Sequence, residues 1–219
     1  MQRYFDEDLA HFKETLLMMG SYAESALNQA LQAIVDRNDK LAEQVQDNDD
    51  IMDQYEIDID DMAINLLSKA PLATDLRLIT VAMKISQNLE RIGDEATTIA
   101  RRAMELNAEP QLKNYIDIPR MAAIALTMLK ESLDAFVNRK AELARTVIPR
   151  DKEVDALNRQ VYRELSSFMV EDPSTITRCL HLMTVSKCLE RVADHATNIA
   201  QEVVYLCEAR DIRHEANKP

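Results

Sequence analysis

Residues 86–100 and 186–200 carry nearly the same text, 100 positions apart. One reads Ser86-Gln87-Asn88-Leu89-Glu90-Arg91-Ile92-Gly93-Asp94-Glu95-Ala96-Thr97-Thr98-Ile99-Ala100. The other reads Ser186-Lys187-Cys188-Leu189-Glu190-Arg191-Val192-Ala193-Asp194-His195-Ala196-Thr197-Asn198-Ile199-Ala200, and nine of the fifteen positions are identical. A chain that repeats itself at this scale folds as two versions of one supersecondary unit, so chemistry exposed by one unit is presented twice. The repeat extends backwards at an offset of 102, where Ala33, Arg37, Leu41, Ala42, Val45, Asp49, Asp53 and Pro71 fall on Ala135, Arg139, Leu143, Ala144, Val147, Asp151, Asp155 and Pro173. The offset then drops to 100 at a turn, where a loop absorbs a two-residue deletion.

The repeated unit is helical. The 219 residues include only two glycines, Gly20 and Gly93, too few for the tight turns of a β-rich fold. Phe5, Leu9, Phe12, Leu16, Met19, Ala23, Ala26, Ala30 and Ala33 alternate spacings of four and three, which predicts a long packed helix from Phe5 to Val35. Asp39 is placed to cap the next helix. Leu41, Val45, Met52, Tyr55, Ile59, Met62 and Leu66 continue the pattern from Lys40 to Lys69, with Asn48 interrupting it and Ala70-Pro71 ending it. A third helix runs from Thr74 to Leu106. The second half repeats the plan with helices over Pro119 to Asn138, Lys140 to Val170 (kinked or broken at Pro149) and Thr175 to Arg210, followed by a loose tail after Arg213. The expected fold is all-α, a tandem duplication of two antiparallel three-helix bundles with six helices in all, over residues 1–107 and 114–219.

The formal net charge is −12, and residues 1–107 carry most of it. An acidic chain repels phosphate backbones, so nucleic acid is not an expected partner, while cations and basic surfaces are. Cys179, Cys188 and Cys207 form no C-x-x-C pair and read as reduced, mostly buried thiols. The first residues lack a signal-peptide core, and no run is long enough to span a membrane, so a cytoplasmic protein is expected.

Glu90/Asp94 and Glu190/Asp194 stand at i, i+4, each pair on one helix face and 100–140° from the apolar mid-line at about 100° per residue, hence near the surface. Asp49/Asp53 and Asp151/Asp155 occupy matching places on the preceding helix of each half, so four carboxylates can meet in each bundle. Like charges at this spacing cost stability unless a cation neutralises them, and carboxylate oxygens suit Mg²⁺, Ca²⁺, Mn²⁺ and iron. The bland alternative is a solvated acidic face. Asp47 to Asp61 adds eight acids without a base, for which Arg77, Lys84 and Arg91 on the next helix are the expected neutralisers. Position 95 is glutamate in one copy, and its counterpart is His195.

Leu89-Glu90-Arg91-Ile92-Gly93-Asp94 and Leu189-Glu190-Arg191-Val192-Ala193-Asp194-His195-Ala196-Thr197-Asn198 resemble the PhoU family, as do Pro71-Leu72-Ala73-Thr74-Asp75-Leu76-Arg77 and Asp151-Lys152-Glu153-Val154-Asp155. The resemblance covers essentially the whole chain. It implies a cytoplasmic negative regulator of the phosphate-starvation response and of phosphate uptake, acting between the ABC phosphate transporter ATPase and the phosphate-sensing histidine kinase. It implies a homodimer, peripheral to the membrane through its partners. It also implies metal bound by Asp49, Asp53, Glu90, Asp94, Asp151, Asp155, Glu190 and Asp194, with iron, zinc, manganese or magnesium as the divalent or ferric ion.

The reading is of an adaptor without catalytic residues, since no nucleophile–base pair or glycine-rich phosphate loop is visible. Two rivals stand beside it. A carboxylate di-iron enzyme needs Glu-x-x-His on two helices, and these positions read Glu90-x-x-Gly93 and Glu190-x-x-Ala193. The other rival is a purely structural bundle.

Overall fold

Most of the seam of the first helix is out of water: Phe12, Leu16, Met19, Ala23, Ala30 and Ala33 have no exposed surface, while Phe5 and Ala26 are partly buried. They line α1 (Gln2–Val35). α2 (Asp39–Asp47), α3 (Asp50–Ser68) and α4 (Ala73–Asn107) complete the first repeat. The second consists of α5 (Asp117–Asn138), α6 (Ala141–Val147), a 3-10 turn over Ile148–Arg150, α7 (Asp151–Glu171), a second 3-10 turn over Pro173–Thr175 and α8 (Ile176–Glu208). The computed structural model describes residues 2–69 and 72–213; Ala70-Pro71, expected to end a helix, and the tail beyond Arg213 lie outside them. Among the described residues there is no strand and no disulfide.

The expected six-helix plan holds, with two of the six rods broken. Pro149 breaks the fifth as expected, since it lacks the N–H a helix needs and settles into the 3-10 turn. The second, read as one helix from Lys40 to Lys69, breaks at Asn48, the residue that interrupts its seam. Asn48 leaves helical geometry at φ −102°, ψ 11°, and its carbonyl accepts the Tyr22 hydroxyl at 3.2 Å. Capping also differs. Asn38, not Asp39, caps α2 through its side chain to the Leu41 N–H, and Asp39 accepts from Asn107 at 2.8 Å.

α4 and α8 form the spine. α4 packs on α1, α2 and α3, α8 packs on α5, α6 and α7, and the two run antiparallel against each other. Their shared face is apolar with polar clasps: Lys84 to Glu202 at 3.1 Å, Glu95 to Arg191 at 3.2 Å and Glu109 to Arg178 at 3.3 Å. α1 also touches α5, where Gly20 lets Leu133 approach so closely that an added Cβ would lie 2.7 Å from the leucine Cδ1. The two repeats therefore share one continuous core.

Gly93 sets how near α3 lies to α4. A Cβ there would stand 2.8 Å from Met52 Cγ, close to the methionine's backbone where the side chain has least freedom. The equivalent positions in the other repeat hold Val154 and Ala193, both fully buried, a smaller residue for Met52 and a larger one for Gly93. Gly93→Ala gains about 1 kcal/mol of helix propensity and meets about 1–3 kcal/mol of overpacking. The expected net loss is about 1 kcal/mol, read by urea unfolding, and adding Met52→Val restores it.

Candidate functional site

The helix breaks place the acids. Asp49 directly precedes α3 without capping it through its side chain, and Asp53 lies in the first turn; Asp151 opens α7. Unpaired N–H groups at a helix start favour negative charge, which makes these the places on α3 and α7 where stacked carboxylates cost least. Glu90/Asp94 and Glu190/Asp194 lie across from them on α4 and α8.

In the second repeat the four expected residues lie within electrostatic reach of one another. Burial raises the Asp151 carboxyl to about 6, and the charges of Asp194, Asp155 and Glu190 add to that rise. Asp194 is raised too, first by desolvation and then by Glu190 and Asp155. Asp151 Oδ1 and Thr197 Oγ1 are shielded from solvent, and each lacks a hydrogen-bond partner among the described residues. Lys187 pairs with Glu190, and Arg159 lies 3.7 Å from Asp155.

The first repeat is assembled differently. Glu90 is raised to about 7 by burial and by Asp94, with Arg91 opposing and Glu56 and Asp53 adding to the rise. Asp49 turns to Thr97 instead, accepting its hydroxyl at 2.8 Å, the contact that Asp151 and Thr197 leave unmade in the other copy. Glu56 thus joins a set that sequence reading had limited to the two four-spaced pairs; its spacing of three from Asp53 was the available signal. The expected surface position needs adjustment as well. Asp94 is 46% exposed, but the Glu90 and Glu190 side chains are only 13% exposed, because α4 and α8 are covered on two faces.

The two arginines beside the glutamates behave unlike each other. Arg91 folds back onto its own repeat, reaching Glu90 at 3.3 Å and Asp94 at 3.0 Å. Arg191 reaches across the spine to Glu95 at 3.2 Å and leaves Glu190 to Lys187. The mismatch at position 95 accounts for this. Glu95 offers Arg191 a charge, whereas His195, its counterpart, has its pKa lowered mainly by burial and holds Asn88 at 3.0 Å. Each site thus carries its own cations, Arg91 over the Glu90/Asp94 pair in the first and Lys187 on Glu190 with Arg159 near Asp155 in the second. Of the other expected neutralisers, Lys84 serves Glu202 and Arg77 lies over the Tyr205 ring, both on α8. The Cys188 thiol, raised by burial and by Glu95, is a core residue, and Ser86 and Ser186 are fully buried.

Chemically, each set is a group of hard oxygen donors carrying more negative charge than its cations offset. Among the described residues no three His, Cys, Asp or Glu side chains already converge on a point, so a cation would draw them together by side-chain rotation. The unpartnered Asp151 Oδ1 and the upward-shifted carboxyls fit such an ion.

The family comparison follows the duplication of the fold. The PhoU domain model covers residues 16–103 and again 118–203. The chain belongs to the PhoU family. The phosphate-specific transport system accessory protein PhoU homolog of Pseudomonas aeruginosa is 39% identical over 216 residues, spanning 98% of this chain and 89% of that one. The PhoU homolog of Aquifex aeolicus is 39% identical over 95% of each chain. The crystal structure of PhoU from Pseudomonas aeruginosa superposes with a TM-score of 0.91 over 94% of this chain and 100% of its own. That of the phosphate transport system regulatory protein PhoU from Streptococcus pneumoniae gives 0.88 at 25% identity, over 95% of this chain and 99% of its own. Among its described residues this chain has no helix long and apolar enough to cross a membrane.

Proposed function

We propose that this PhoU-family chain is a non-catalytic accessory protein of a phosphate-specific transport system. In this reading it represses the phosphate-starvation response when phosphate is plentiful, as a cytoplasmic homodimer that links the transporter ATPase to a sensor histidine kinase. One observation carries the reading: identity to the Pseudomonas aeruginosa accessory protein extends over 98% of the chain, both repeats included. A deletion strain is expected to express phosphate-starvation genes at high phosphate, measured by a reporter; unchanged repression would contradict the reading. Capture of the kinase and the ATPase from cells grown at high phosphate tests the adaptor role separately.

We also propose that the two carboxylate sets bind cations. Asp53, Glu90 and Asp94 with Asp49 or Glu56 would hold one, and Asp151, Asp155, Glu190 and Asp194 the other. All-oxygen donors favour hard ions such as Mg²⁺, Mn²⁺ or ferric iron over zinc. Such an ion supplies neutralisation of the clustered charge and a fixed geometry between α3 and α4 or α7 and α8. Arg91 competes for the first set and Lys187 and Arg159 for the second, so the two are expected to bind with similar strength.

A further inference from the structure

Two turns in this chain share an unusual backbone and use it differently. Arg37 and Arg139 are equivalent positions, and both adopt left-handed φ, 52° and 49°. In the first repeat the strained residue has a structural use. Arg37 donates to the carbonyls of Asn107 and Glu109, each at 2.6 Å, and Arg178 adds a bond to the Pro110 carbonyl at 3.0 Å, so the linker between the repeats fills that corner. In the second repeat the corner stays open. Arg139 has no hydrogen bond or ion pair from its guanidinium among the described residues, although it stands beside Cys207, the counterpart of Asn107.

The open corner is a cleft of about 220 Å³ lined by Thr74, Arg77, Arg139, Leu206 and Cys207, at the seam of the two repeats. Arg77 forms no ion pair either among the described residues and lies over the Tyr205 ring at 5.9 Å, a contact that leaves its charge unneutralised. Lys13 of α1 is near enough to Arg139 that, after desolvation, the arginine's charge is the largest cause lowering its pKa. The acids nearby are few. Asp75 offsets Lys13 in part, and Glu208 is engaged by Arg145 at 2.6 Å. The positions equivalent to Arg77 and Lys13 are Thr177 and Tyr115, so the fold does not require cations there. Half-buried Arg77 and exposed Arg139 thus bring two guanidinium groups to one cleft of a chain with net charge −12, with no ion pair to either among the described residues.

We infer that this cleft is an anion-binding site for a small phosphoryl-type oxyanion, held by Arg77 and Arg139 with Thr74 and Lys13 in support. Two guanidinium forks from different repeats suit a tetrahedral oxyanion. The volume lies below the roughly 300–1,000 Å³ of sites for drug-sized ligands, which favours the free ion over a bulky ester. The site is separate from the carboxylate sets and does not depend on their binding metal. Occupancy would tie α4 to the α5–α6 turn.

Isothermal titration of the full chain at low ionic strength, with divalent ions chelated, tests this using inorganic phosphate and, in parallel, O-phosphoserine. Saturable binding of phosphate at one ion per chain is expected. Arg77→Gln/Arg139→Gln should weaken it at least tenfold, and Arg163→Gln, on the far side of α7, should leave it unchanged. Arg139→Gly is the sharper variant, because glycine accepts the left-handed backbone: it should melt no lower than wild type yet bind at least tenfold more weakly. Tighter binding of O-phosphoserine than of phosphate would keep the phosphoryl site but assign it to a phosphomonoester. No saturable binding of either, or equal affinity in wild type and Arg139→Gly, overturns the inference.

Discussion

Glu90→Gln is expected to make the protein more stable at pH 8 and to change little at pH 4. The Glu90 carboxyl is raised to about 7 in the folded chain from 4.5, so the native state binds its proton more tightly than the unfolded state does. Stability from this group is therefore complete below about pH 4.5 and is lost as pH rises through 7. Above that, the folded state holds a mostly buried charge among like charges, at a cost of about 3 kcal/mol by the usual conversion of pKa shifts. Glutamine keeps the shape and removes the charge. Asp151→Asn acts in the same direction over a lower window, between 3.8 and about 6. Urea midpoints measured at pH 4, 6 and 8 should show the variant curves separating from wild type only as pH rises. A constant offset at all three would mean that the charge is not the cause.

The second large effect lies in the spine. The Glu202 side chain is 7% exposed and is held by Lys84 at 3.1 Å and Arg213 at 3.4 Å. Lys84 also leans on the Tyr205 ring at 5.6 Å, which orients its ammonium toward the carboxylate. Removing one partner of a buried pair costs about 3–5 kcal/mol when nothing replaces it. Here Lys84 is itself partly solvated and Arg213 remains, so Lys84→Met is expected to cost about 2 kcal/mol. Lys84→Met/Glu202→Leu should recover most of that loss, since apolar side chains fill such a site at little cost. If the double variant is as unstable as the single, the pair contributes packing rather than compensated charge.

Both effects show where the sequence could be read and where it could not. The apolar seams placed the core almost residue by residue, because a period of three and four fixes one face of a helix whatever it packs on. Asn48 marked the break in the second rod, but it looked like a tolerated polar residue until Tyr22 was seen bonding its freed carbonyl. The carboxylate pairs were legible as spacing alone. Which cation each would meet was not, because Arg91 and Arg191 sit in identical local phrases and part ways through contacts made across the spine. Lys84 and Arg77 were read as neutralisers of the acidic run for the same reason: one repeat alone does not show that a second face of α4 is given to α8. Glu56 was missed because attention to four-residue spacing passed over a neighbour at three.

The carboxylate sets join these strands. They destabilise the fold at neutral pH, they recur in both repeats, and a bound cation would relieve them. Thermal melting at pH 8 with and without Mn²⁺, on wild type, Glu90→Gln, Glu190→Gln and the double variant, tests this most directly. Wild type should gain stability with Mn²⁺, Glu90→Gln and Glu190→Gln should each lose part of that gain, and the double variant should show none. An equal shift in all four proteins, or no shift in wild type, would contradict cation binding at these residues.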